Sequence, residues 1–107
     1  MDKLKRDKQE AAGWKVGTVQ ELLGLSDAEA LLVEIRVALA AAVRARRTRE
    51  RVSQAELAER MGSSQPRVAH LEQGEGTLDL LVRALLAMGA TPREIGRTLA
   101  TAARPAA

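Results

Sequence analysis

The chain has 107 residues, with 17 Lys and Arg against 14 Asp and Glu, for a net charge of +3. That length suits one domain, or one domain with an arm, and at 46% apolar residues with Trp14 as the only aromatic the core must be aliphatic. The absence of Cys excludes disulfides, thiolate metal sites and thiol catalysis, and the single His, His70, excludes most His-based metal or triad arrangements.

Sheets favour β-branched and aromatic residues, whereas Ala, Leu, Arg and Glu favour helix. The expected fold class is therefore all-α. Residues 1–13 are polar with mixed charge and read as a mobile tail. Helix starts are expected where Ser or Thr precedes Glu by three residues, because the two side chains reciprocally satisfy free backbone N–H groups. Thr18/Glu21, Ser26/Glu29, Ser53/Glu56 and Thr91/Glu94 all have this spacing.

Residues 19–23 can form a short helical turn stopped by Gly24. A long helix is expected over 27–49, with Leu32, Ile35, Leu39 and Val43 on one stripe. A second helix spans 54–61 and ends at Gly62. A third follows Ser64 to about Gln73 and ends at Gly74. A fourth covers 78–88, with Leu81, Val82, Leu85 and Met88 on its apolar face and Gly89 as its stop. Thr91 and Pro92 open a fifth, since Pro suits the first turn of a helix. Fraying is expected from Arg104 and Pro105 onward.

Charge falls in blocks. Residues 1–8 carry Lys3, Lys5, Arg6 and Lys8 against Asp2 and Asp7. Residues 9–35 carry Glu10, Glu21, Asp27, Glu29 and Glu34 against Lys15 alone, a balance of −4. Arg44, Arg46, Arg47, Arg49 and Arg51 then crowd together. Such asymmetry points to two surfaces with different partners, although cations also suit a helix C-terminus. The longest uncharged run, residues 84–92, is too short to cross a bilayer. The Lys-rich start is not followed by an apolar block, so no signal peptide is expected and the expected location is cytoplasmic. No clustered acid/base pair, phosphate loop or metal-ligand spacing stands out, so neither an enzyme nor a cofactor is expected.

The informative stretch is SQAELAERMGSSQPRVAHLEQG, residues 53–74. Two short helices meet at a turn on Gly62, where Gly can take a positive φ. Ala58 is small where the helices would cross, and Leu57, Met61, Val68 and Leu71 would fix the crossing. This is the pattern of a helix-turn-helix, whose second helix enters the major groove. Gln65, Arg67 and His70 would share an exposed face of that helix, with Pro66 between them offering apolar contact. Gln can read adenine bidentately, and Arg can read guanine or hold phosphate. Gln54 and Ser64 sit at helix N-termini, where phosphates can be clamped. Arg44, Arg46 and Arg49 are candidate backbone contacts.

The stretch closely resembles the Xre/Cro-type repressor family in Gln54, Ala55, Leu57, Ala58, Gly62, Ser64, Gln65, Val68, Leu71, Glu72 and Gly74. The likeness extends over roughly residues 35–100. It implies a five-helix domain over 27–104, an N-terminal extension over 1–26 and a tail over 105–107. It further implies base contacts from the position of Gln65, DNA-facing positions at Arg67 and His70, and a structural salt bridge between Arg47 and Glu72. The sequence departs from the family at Arg51, where Gly is common. The segment GWKVGTVQELLGLSDAEALLVE resembles the leader of host-inhibition-of-growth antitoxins, which pair with RelE-like mRNA endonucleases. That resemblance implies a basic toxin as partner, with Trp14, Val16, Val19, Leu22, Leu23 and Leu25 as apolar anchors. The implied function is a homodimeric repressor on a palindromic duplex operator, doubling as an antitoxin. A stand-alone regulator without a toxin is the alternative.

Overall fold

The computed structural model describes Gly24 and residues 26–102. Those residues form five helices and no strand: α1 (Asp27–Arg49), α2 (Gln54–Met61), α3 (Gln65–Glu72), α4 (Leu78–Ala87) and α5 (Pro92–Ala102). The expected helical turn at 19–23, the Thr18/Glu21 cap, the leader anchors from Trp14 to Leu25 and the frayed end at Arg104 lie outside the described residues.

Local chemistry sets the helix starts. Ser26 and Glu29 exchange side-chain bonds with each other's backbone N–H groups, both at 3.1 Å. Ser53 and Glu56 do the same, as do Thr91 and Glu94. Each such cap is worth about 1 kcal/mol. Ser64 caps α3 without a reciprocal acid, its hydroxyl accepting from the Arg67 N–H at 3.4 Å. Thr77 caps α4 in the same way through the Leu80 N–H.

The ends of α1 to α4 share one construction. The residue after a left-handed residue donates its N–H to a carbonyl five positions back: Val52 to Arg47, Ser63 to Ala58, Glu75 to His70 and Ala90 to Leu85, at 2.8–3.1 Å. This Schellman arrangement needs a positive φ at the turning residue, which glycine supplies without a Cβ clash. Gly62, Gly74 and Gly89 fill that position in three of the four ends, with φ of 65°, 82° and 83°. Arg51 fills it at the end of α1, with φ of 58°. An L-residue with a Cβ in that region costs about 1–2 kcal/mol relative to its relaxed backbone.

The core gathers Leu39, Ala40 and Val43 of α1, Leu57 and Ala58 of α2, Val68 and Leu71 of α3, Leu81, Ala84 and Leu85 of α4, and Val52, Met88 and Ala90 from the connections. α1 is the spine, packing against α3, α4 and α5, while α2 packs against α3 and α4. The expected α1 stripe is buried only from Leu39 onward. Leu32 is 38% exposed, and Ile35 is only partly buried against the core. No described helix is long and apolar enough to cross a membrane.

Candidate nucleic-acid interface

α2 and α3 cross on Leu57, Ala58, Val68 and Leu71, all buried, with Met61 packed at the edge. The left-handed Gly62 turns the chain between the two helices. Burying Val68 and Leu71 fixes the rotation of α3 about its axis. The remaining positions Gln65, Pro66, Arg67 and His70 are thereby left exposed on its outer side.

One line of side-chain bonds runs through this unit. Arg47, near the end of α1, grips Glu72, the last residue of α3, in a two-pronged contact: Nη2 donates to Oε1 at 3.0 Å and Nε donates to Oε2. Its Nη1 also donates to the Val52 carbonyl at 3.0 Å. Gln54, the first residue of α2, donates from Nε2 to Glu72 Oε1 at 3.1 Å. Gln65, the first residue of α3, donates from Nε2 to Gln54 Oε1 at 2.6 Å. The exposed carboxamide of Gln65 is thus aimed through Gln54 and Glu72 by a guanidinium carried on the spine. Charge-assisted, bidentate bonds of this kind are shorter and stronger than neutral ones.

The Glu72 side chain is only 5% exposed. Burial pushes its carboxyl up, but hydrogen bonds from Arg47 and Gln54 and the charges of Arg47 and Arg44 outweigh that and hold it below the usual carboxylate range. The bond to Glu72 conversely raises the Arg47 guanidinium, against the opposing pull of burial. A depressed native carboxylate contributes stability that is present in full above the unfolded value, about pH 4.3, and is lost as pH falls through the native value. A Tm-against-pH series on Glu72→Gln is therefore expected to show a flatter acid limb than the parent chain. An unchanged acid limb would contradict this origin of the acid sensitivity.

The other candidates separate by their surroundings. Ser64 spends its hydroxyl on the α3 cap. His70 pairs through Nδ1 with Glu75 Oε2 at 2.6 Å on the surface. Arg67 stands exposed and forms no ion pair among the described residues. Arg44 lines an open groove with Val37, Ala41, Thr48, Gln73 and Gly74, at the far end of α3 from Gln65.

Arg46 corrects the expectation drawn from the arginine cluster. It is not a free cation. Its side chain is 15% exposed, with Nε donating to the Met88 carbonyl at 3.1 Å and Nη1 bonded to Glu94 Oε2 at 2.6 Å, and it also pairs with Glu50. Arg46 thus clamps the end of α4 and the start of α5 onto α1. A sequence signal for this existed, since Arg46 continues the Leu39–Val43 stripe by three positions.

No group of His, Cys, Asp and Glu that could hold a metal ion occurs among the described residues. No curated protein and no solved structure matches the chain. The family model described as "Helix-turn-helix domain" matches residues 19–92, which include the whole of α1 to α4 and the exposed face of α3. On that match, and on the α2–α3 geometry that agrees with it, the chain belongs to the helix-turn-helix domain family.

Proposed function

We propose that this chain is a sequence-specific DNA-binding repressor that lays α3 in the major groove and reads base edges from Gln65, with Arg67, Pro66 and His70 on the same face. The observation that carries this reading is the bond line Arg47–Glu72–Gln54–Gln65. A carboxamide that only faced water would gain little from being held by three further side chains. A held carboxamide loses less conformational freedom on meeting adenine, whose N6 and N7 suit a bidentate amide. Gln54 and Ser64, at the starts of α2 and α3, would meet phosphates at those helix N-termini, with Arg44 and Arg49 as further cations. Two copies would set their α3 helices about 34 Å apart on a palindromic site.

Gln65→Ala is expected to weaken operator binding by roughly 1–3 kcal/mol and to relax base preference at one position per half-site. A gel-shift titration on the parent operator and its single-base variants measures both. Unchanged affinity and selectivity would remove Gln65 from the reading face.

The finer reading is that the repressor is also an antitoxin for a RelE-like mRNA endonuclease. It is supported by the likeness of residues 13–34 to antitoxin leaders. The −4 balance of residues 9–35 would complement a basic RNA-binding enzyme. Trp14, Val16, Val19, Leu22 and Leu23 would supply its apolar anchors. Co-purification with the product of the adjacent gene tests it. A small basic protein retained through residues 1–26 supports the antitoxin, and no association favours a stand-alone regulator.

A further inference from the structure

Arg51 breaks the rule that the other helix ends obey. Four ends share the same hydrogen-bonded turn, and three of them place glycine at the left-handed position. Only the end of α1 places a residue with a Cβ there, and Arg51 is the one non-glycine residue with positive φ among those described. The hydrogen bonds of the turn do not involve the side chain. The Arg51 backbone N–H bonds to the Thr48 carbonyl at 3.1 Å and the next N–H to the Arg47 carbonyl at 2.9 Å, and glycine would make both bonds. The Arg51 guanidinium forms no hydrogen bond or ion pair among the described residues, and the residue is exposed. Its neighbours Arg46 and Arg47 are instead committed to the fold.

Place in the fold says what the side chain could meet. Arg51 lies three residues before Gln54, so its Cα is within roughly 11 Å of the start of α2. Gln54 in turn bonds Gln65 at the start of α3. The loop, the two helix starts and the proposed base-reading carboxamide therefore lie at one end of the molecule. A residue that violates a local rule without a side-chain bond to the fold in return is where a functional contact is expected.

We infer that Arg51 is a DNA-backbone contact, an added phosphate-binding cation held on a strained helix end beside the α2 and α3 N-termini. The inference rests on the DNA-binding reading above. It makes stability and binding move in opposite directions under one substitution, which a merely tolerated arginine would not do.

The test uses the full chain and a fluorescein-labelled duplex of random sequence, followed by fluorescence anisotropy through a salt titration. Arg51→Gly is expected to raise Tm by several degrees through relief of the backbone. It is also expected to weaken duplex binding roughly threefold to tenfold and to reduce the slope of log K against log salt by about 1, the signature of one lost phosphate contact. Arg51→Lys, which keeps the charge and the strain, is expected to retain the parent Tm and slope. Parent affinity and slope in Arg51→Gly would overturn the inference and leave the DNA-binding reading standing. A Tm that fails to rise would overturn it as well, by removing the conflict it explains. A parent chain that does not bind the duplex at all would end the underlying reading, and Arg51 with it.

Discussion

Glu72→Ala is expected to destabilise the fold by about 3 kcal/mol and, as a separate effect, to weaken operator binding. The first effect follows from burial. The Glu72 side chain is 5% exposed and that of Arg47 17%, so removing the carboxylate leaves a mostly buried guanidinium with the Val52 carbonyl as its one remaining partner among the described residues. Truncating one member of a buried pair costs on the order of 3–5 kcal/mol, chiefly because the other charge is stranded, and the residual exposure of Arg47 places the value at the low end. The second effect follows from the loss of the acceptor for Gln54, which frees Gln65 in turn. The two are separable. Replacing both members together, Arg47→Leu with Glu72→Leu, removes both charges and is expected to recover most of the stability, while operator affinity stays reduced. Urea unfolding and a gel-shift titration on the three proteins measure the pair. Recovery of both properties in the double variant would show that the bond line does not position Gln65.

The same contrast between local and distant chemistry decides what was legible in the sequence. Helix starts and ends were readable because their causes sit within a few residues. Ser26/Glu29, Ser53/Glu56 and Thr91/Glu94 are caps at fixed spacing, and Gly62, Gly74 and Gly89 occupy the turning positions. The helices accordingly end within a residue of their expected limits, with Gln73 and Met88 serving as caps beyond α3 and α4. The exposed face of α3 followed from periodicity, since burying Val68 and Leu71 leaves only one side for Gln65, Arg67 and His70.

What was not legible depends on the tertiary path. The Gln54–Gln65 bond joins residues 11 apart across two helices, and no local rule selects it over two separate phosphate contacts. The Arg46 clamp spans 48 positions to Glu94, and although Arg46 falls on the buried stripe, no local rule names Glu94 or the Met88 carbonyl as its partners. Gly76 is a further case. A Cβ built there would fall 1.9 Å from Leu71 Cδ2, so a larger residue would have to displace a core leucine side chain, a constraint set by a loop passing over the core and not by a dihedral angle that local sequence would signal.

Leu57→Ala is expected to cost about 2–5 kcal/mol, comparable to the Glu72 variant but for an apolar reason. Leu57 has no exposed surface and lies on α2, which packs against both α3 and α4. Truncation removes the transfer free energy of its methyl groups and leaves a cavity between α2, α3 and α4 into which the surrounding structure relaxes only partially. The neighbouring Ala58 is already small and buried and cannot fill the space, and Met61, one turn on, could enter it only by leaving its own place at the edge of the core. Total stability for a chain of this length is about 5–15 kcal/mol, so a loss of this size is a large share of it. Leu86→Ala supplies the control: Leu86 is 50% exposed, and its truncation is expected to change stability by less than about 1 kcal/mol. Urea midpoints with unchanged slope would assign both values to the folded state. A Leu57 loss no greater than that of Leu86 would mean that the α2–α3 crossing is not the rigid mount on which the presentation of Gln65 depends.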